Sequence, residues 1–348
     1  MNARAHLLAE ATKRILLTDG AFGTEIQSYR LDEAAYAGAL GLAKDQKGNN
    51  DILALTQPQI VEEITMRYLD AGSDIVSTNT FSANRISQAD YGAEHLVRDI
   101  NFAAAQAARH AADARAAQDG HPRFVAGAIG PTNKTLSLSP DVNDPGFREI
   151  DFDHLKDVYR EQTDALIEGG VDFILIETVF DTLNAKAGIM AVIEAAQAHG
   201  RDVPLMLSMT LTDLSGRNLS GHTVEAFWYA VRHARPVTVG LNCSFGAQQL
   251  RPHVQTLSHL ADTLIMVYPN AGLPNELGQY DEMPEQTAAL VREWAEQGQV
   301  NILGGCCGST PGHIAAMRKA VEGLPPRAIP HPPVMTRLAG LEPMNIAA

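Results

Sequence analysis

The chain has 348 residues, 45% of them hydrophobic, and carries 27 Lys and Arg against 41 Asp and Glu for a formal charge of −14. That is enough apolar material for one large barrel-type domain or two ordinary ones, and the acidic balance would repel a nucleic-acid backbone or an anionic membrane. The N-terminus lacks the apolar core of a secretory signal and no run reaches the ~18 apolar residues of a membrane span, so the expectation is a cytoplasmic protein with neither nucleic acid nor membrane as partner.

Apolar, β-rich runs recur along the chain at Ile15–Leu17, Ile75–Ser77, Phe124–Ala126, Phe173–Ile176, Leu205–Ser208, Val237–Leu241, Leu264–Val267 and Ile302–Leu303. Helical patterns separate them. Thr56-Gln57-Pro58 opens one over Ile60–Leu69 that closes at Gly72, and Thr310-Pro311 opens another through Val321. Apolar strands without clean alternation, each followed by a helix, predict a parallel sheet with its outer face covered. Eight such units predict an α/β fold of the (β/α)8 TIM-barrel type. Two stretches exceed a minimal barrel: a polar connection over Tyr29–Leu55, whose composition does not announce a role, and Leu324–Ala348, which holds six prolines. The expected organisation is a barrel over 1–323 and an extended, Pro-rich tail over 324–348.

Chemistry in such barrels gathers at the C-terminal ends of the strands. That rule brings together Asp19 to Glu25 after the first strand, Thr78 to Phe81 after the second and Gly127 to Asn133 after the third. Glu177-Thr178 follows the fourth, Asn242-Cys243 the sixth, Pro269 to Gly272 the seventh and Gly304 to Gly308 the eighth. The chain's three cysteines, Cys243, Cys306 and Cys307, all lie in this set. An odd, small number of cysteines argues for thiols rather than a disulfide framework, and bridging the neighbours Cys306 and Cys307 would strain the bond geometry.

Three thiolates meeting at one rim suit the tetrahedral preference of zinc, and the lack of a fourth cysteine leaves one corner open for a substrate thiol. The flanking glycines are expected to permit the unusual turn by which two successive residues bind one metal. Two plainer readings stand beside this one. Cysteine is often a small packed hydrophobe, and the turn Gly304–Ser309 before a helix could cradle a phosphate. Asp19 and Glu177 end apolar strands at the mouth, where a carboxylate wants a cation such as a substrate ammonium; an Asp before Gly-Ala-Phe-Gly could equally order a turn. Asn242 and Asn270 could supply amide groups. The twelve histidines form no close-spaced ligand motif.

Asp19-Gly20-Ala21-Phe22-Gly23-Thr24, Gly240-Leu241-Asn242-Cys243 and Gly304-Gly305-Cys306-Cys307-Gly308 resemble the homocysteine S-methyltransferase family over essentially the whole chain. Within it, Gly130-Pro131-Thr132-Asn133-Lys134, Ile176-Glu177-Thr178 and Tyr268-Pro269-Asn270-Ala271-Gly272 are most similar to the homocysteine-binding module of cobalamin-dependent methionine synthases. The resemblance implies a zinc ion on Cys243, Cys306 and Cys307, with homocysteine as substrate. It places the substrate ammonium at Asp19 and Glu177, its carboxylate at the backbone of Gly20 and Ala21, and Asn270 as a displaceable oxygen ligand in the fourth position. No Asp-x-His-x-x-Gly cobalamin signature occurs. The expected donor is therefore methylcobalamin carried by a cobalamin- and folate-binding partner chain, with methionine as product. Self-sufficient transfer from S-methylmethionine or betaine, and a non-catalytic homocysteine-binding subunit, are the alternatives.

Overall fold

The computed structural model describes residues 2–347. Eight parallel strands form the central sheet: β1 (Leu16–Leu17), β2 (Ile75–Ser77), β3 (Phe124–Ile129), β4 (Phe173–Val179), β5 (Leu205–Met209), β6 (Thr238–Gly246), β7 (Leu264–Asn270) and β8 (Ile302–Leu303). Their order is β1-β8-β7-β6-β5-β4-β3-β2, all neighbours parallel and each strand followed by a helix, the arrangement of a (β/α)8 barrel. The eight expected strands are the eight found. No helix among the described residues is long and apolar enough to cross a membrane.

Side chains alternate across each strand, and the barrel divides its core accordingly. Leu16, Ile75, Phe124, Phe173, Leu175, Met206, Met266 and Ile302 form one cluster with Leu7 and Ala11 of the helix Ala3–Ala11. Leu17, Val76, Val125, Ile174, Leu207, Val239 and Val267 belong to a second, larger cluster with the outer helices, such as Ile64 and Leu69 of Pro58–Asp70.

The seam between β1 and β2 is closed by Asp74. Its N–H donates to Leu17 O at 2.7 Å and its carboxylate accepts from Leu17 N at 2.8 Å. Burial alone would raise this carboxyl, but Arg14, bound through two hydrogen bonds of 2.7 and 2.8 Å, and Arg318 hold it below the ordinary range.

The tail is more ordered than its composition suggests. Residues 324–335 carry no helix or strand, yet Arg327 is buried, donating to Ser258 O (2.9 Å), Ala261 O (2.6 Å) and Thr263 O (2.9 Å). Beyond it, β9 (Thr336–Ala339) and β10 (Pro343–Ile346) pair antiparallel and lie against the helix Val224–Val231, with the Arg337 guanidinium 5.8 Å from the Tyr229 ring centre. Proline spacing signals extended chain but carries no information about this docking.

Asp74→Asn tests the seam. Removing one partner of a buried ion pair leaves the others uncompensated. Because the folded carboxyl lies below its unfolded value, its contribution is present above the ordinary carboxylate pKa and is lost as pH falls through the folded one. Urea denaturation at pH 7 is expected to show a loss of about 3 kcal/mol, and unchanged stability would contradict this account of closure.

Candidate active site

The pleat decides which mouth residues point inward. On β4 the inner row Phe173, Leu175 ends at Glu177 and on β7 Leu264, Met266 leads to Tyr268; beyond the end of β8, Cys306 packs against the same inner cluster. On β6 the same count selects Asn242, so Cys243 should face outward. It does not, because β6 bulges between Asn242 and Gly246 and the backbone at Cys243 (φ +61°) and Ser244 (φ +60°) is left-handed. β4 carries a matching irregularity between Ile176 and Val179, with Thr178 at φ +56°. Such conformations cost roughly 1–3 kcal/mol each in non-glycine residues and persist only where the surroundings enforce them.

Asn242 supplies that enforcement. It is 1% exposed; its Oδ1 accepts from Ser208 Oγ (2.6 Å) and Thr178 N (3.1 Å), and its Nδ2 donates to Thr178 Oγ1 (2.8 Å) while standing 3.9 Å from Cys306 Sγ. One side chain thus ties the two bulged strands together.

The three sulfurs converge. Cys243 Sγ and Cys307 Sγ are 3.8 Å apart, and all three ligand atoms lie within 4.8 Å of one another. A ZnS4 tetrahedron with bonds of ~2.3 Å has an edge of about 3.8 Å, so the donor set fits a soft divalent ion. All three are free thiols. Hydrogen bonds from Cys243 and Cys306 pull Cys307 down to about 3, while contact with Cys243 drives Cys306 well above the usual thiol value. Packed this closely, the sulfurs share their protons unequally, as thiols do where only part of the cluster can ionise.

The β8 loop is strapped in place. Gly305 N donates to Asp19 O (3.0 Å), Cys306 N to Pro269 O (2.8 Å), Gly308 N to Thr24 Oγ1 (3.0 Å), Ser309 N to Cys306 O (3.0 Å) and Thr310 N to His313 Nδ1 (3.2 Å). These amides are spent on protein acceptors, which removes the row of free N–H groups that a phosphate cradle needs. The glycines of this loop serve in two ways. Gly308 does take a left-handed turn (φ +80°), but Gly304 is required for close approach, since a Cβ there would stand 2.2 Å from Thr18 Cγ2.

Asp19, which is buried, and Glu177, which is half-buried, line one cavity of about 880 Å³ with Cys243, Cys306 and Cys307. Asp19 accepts from Ser77 N (2.7 Å) and Ser77 Oγ (2.7 Å), yet burial lifts it to about 6. Burial lifts Glu177 to about 7 against the Tyr268 hydroxyl, which donates to it at 3.0 Å. Gly20 and Ala21 line the same cavity, with Ala21 N making a long bond to Ser309 Oγ at 3.3 Å. Asn270 is buried at the end of β7, and its Oδ1 has no hydrogen-bond partner among the described residues.

Sequence reasoning assigns no site role to Tyr268, which opens the motif Tyr268-Pro269-Asn270, to Ser77, which reads as an ordinary strand residue, or to Asp51, which sits in the Tyr29–Leu55 connection. The run Asn49-Asn50-Asp51 is polar and looks like surface; its burial is set by tertiary partners alone.

Asn242→Ala separates the clasp from mere packing. Groups that orient metal ligands typically control affinity by 10–100-fold, so zinc held against a competing chelator is expected to bind about 10–100-fold more weakly. Unchanged zinc affinity in a folded Asn242→Ala protein would contradict the positioning role.

A homocysteine S-methyltransferase family model matches residues 16–321. Among solved structures, the chain is similar to the homocysteine methyltransferase MmuM from Escherichia coli in its oxidized form, with 22% identity and a TM-score of 0.71 over 92% of this chain and 99% of that one. The metallated form of MmuM matches at 24% identity and a TM-score of 0.67, covering 91% and 99% of the two chains. At these identities the structures support the shared fold, and the family model supports more: residues 16–321 span nearly the whole barrel, and the chain belongs to the homocysteine S-methyltransferase family.

Proposed function

We propose that this chain is a zinc-dependent homocysteine S-methyltransferase, acting as the homocysteine-activating half of a methionine synthase whose methylcobalamin is held by a cobalamin-binding partner chain. The observation that carries the reading is the convergence of Cys243, Cys306 and Cys307 within 4.8 Å at the mouth of the barrel. When bound there, zinc supplies Lewis acidity that lowers the pKa of a substrate thiol towards neutrality.

The chain's own residues do the rest. Asp19 and Glu177 offer two carboxylates to the homocysteine ammonium, and the positive charge they gain offsets the burial that raises both above the ordinary carboxylate range. Ser77 and Tyr268 fix their orientation. The backbone of Gly20 and Ala21 faces the amino acid's carboxylate end. The unpartnered Oδ1 of Asn270 supports its reading as an oxygen donor that would help hold the metal when substrate is absent. Held in this way, the homocysteine sulfur forms a bond to the methyl carbon as the donor's bond to that carbon breaks. The electron pair stays with the donor, the thiol proton goes to solvent, and methionine is released.

Support for a donor brought by another chain comes from the rim. Phe81, Val142, Phe147, Leu214, Leu273 and Leu277 are exposed, and all lie on loops that follow barrel strands, the side on which the cavity opens. Exposed apolar side chains on the loops around the mouth suit a docking partner. The cytoplasm is the compartment in which three free thiols persist. A second reading, a self-sufficient enzyme using S-methylmethionine or betaine, is favoured by the cavity volume of about 880 Å³, ample for two small molecules together.

Turnover decides between them. Zinc-loaded protein with homocysteine and free methylcobalamin is expected to yield methionine, and Cys306→Ala to lose more than about a hundredfold in rate, beyond what changes outside the ligand set typically cost. Methionine formed from S-methylmethionine or betaine but not from methylcobalamin would overturn the donor; full turnover by a zinc-free Cys306→Ala protein would overturn the metal chemistry.

A further inference from the structure

The cavity extends well beyond the sulfurs and the Asp19–Glu177 pair. Its outer part is walled by the end of the long connection, around Asn50 and Asp51, and by the loop after β2, around Asn79 and Ser82. This wall is fixed rather than a loose flap. Asn49 and Gln88 exchange side-chain hydrogen bonds of 2.9 and 3.0 Å, Asn79 Nδ2 donates to Asn50 O at 2.8 Å, and Tyr36 OH donates to Asn50 Oδ1 at 2.9 Å.

Asp51 stands in this wall at 6% exposure. Its Oδ1 accepts from Ser82 N at 3.0 Å, and its Oδ2 has no hydrogen-bond partner among the described residues. Asn50 Nδ2 and Asn79 Oδ1 are likewise without partners there, and both residues line the cavity. Among the described residues no Lys or Arg lines it. A buried carboxylate without a cation, pushed up by burial to about 7, seeks a hydrogen-bond donor or a positive group. An anionic ligand would meet Asp51 with no compensating charge.

We infer that the outer lobe is a subsite for the methyl donor, in which Asp51 accepts from an N–H group of that donor, with Asn50 and Asn79 adding one donor and one acceptor. The inference rests on the reading above, in which homocysteine takes the inner part beside Asp19 and Glu177. The N–H group can come from two sources, a carboxamide arm of a corrin ring or the ammonium of a sulfonium amino acid, and the same variants tell them apart.

The wild-type protein is first assayed with free methylcobalamin and with S-methylmethionine to establish which it uses; this step tests the donor, not Asp51. Asp51→Asn and Asp51→Ala are then measured with that donor, and homocysteine binding is measured separately by calorimetry. Asp51→Asn, close in shape and expected to fold, should raise the donor KM at least threefold and leave the homocysteine Kd within twofold. With an ammonium-bearing donor both variants should raise KM tenfold or more. With a carboxamide-bearing donor Asp51→Asn should fall well short of Asp51→Ala, because the amide oxygen still accepts. An unchanged donor KM in Asp51→Asn, or a homocysteine Kd that weakens in step with it, would overturn the assignment.

Discussion

A β-strand sends alternate side chains to opposite faces, and by that rule Cys243 on β6 belongs outside the barrel. The site exists because β6 breaks the rule at one point. Its bulge and two left-handed residues turn Cys243 inward, and Asn242 holds the distortion by bridging to the equally irregular β4. The same clasp fixes Thr178 and hence the adjacent Glu177, so the sulfur cluster and the Glu177 carboxylate at the mouth are set by one buried amide. Strain of this kind, concentrated at a mouth and supported from behind, is how a rigid scaffold keeps a reactive geometry ready.

Electrostatics give that geometry its preference. Three sulfurs, Asp19, Glu177 and Asp51 line a single cavity in which, among the described residues, Lys and Arg have no part. Burial raises each of these carboxyls above the ordinary carboxylate range. Cations would relieve that penalty: in the proposed reading, a divalent ion at the sulfurs and an ammonium between Asp19 and Glu177 would each stabilise the ionised form they pair with. Binding of metal and of amino acid are therefore favoured by the same acidic enclosure, and the chain's overall charge of −14 adds to it at longer range.

Much of this was legible in the residues. The strands announced themselves because barrel strands are buried on both faces and read as short apolar runs, and the cysteines stood out because all three fell at strand ends. Strand lengths were underestimated at the mouth. β4, β6 and β7 continue through Glu177-Thr178, Asn242-Cys243 and Pro269-Asn270, polar stretches that look like loop when taken alone. The bulge at Cys243 left no signal either, since Cys and Ser in left-handed backbone are imposed by neighbours rather than by propensity. Asp51 and the tail hairpin share that reason: both are held by contacts distant in sequence, with Ser82 and with Tyr229.

In the proposed function, three cysteine sulfurs hold a zinc ion with one position left for the substrate's sulfur. X-ray absorption at the zinc edge tests it most directly, on the purified protein with and without homocysteine. The account predicts three sulfur neighbours at ~2.3 Å plus one lighter atom, becoming four sulfurs when homocysteine is added. A sulfur count that stays the same on adding homocysteine, or protein that retains no zinc, would contradict it.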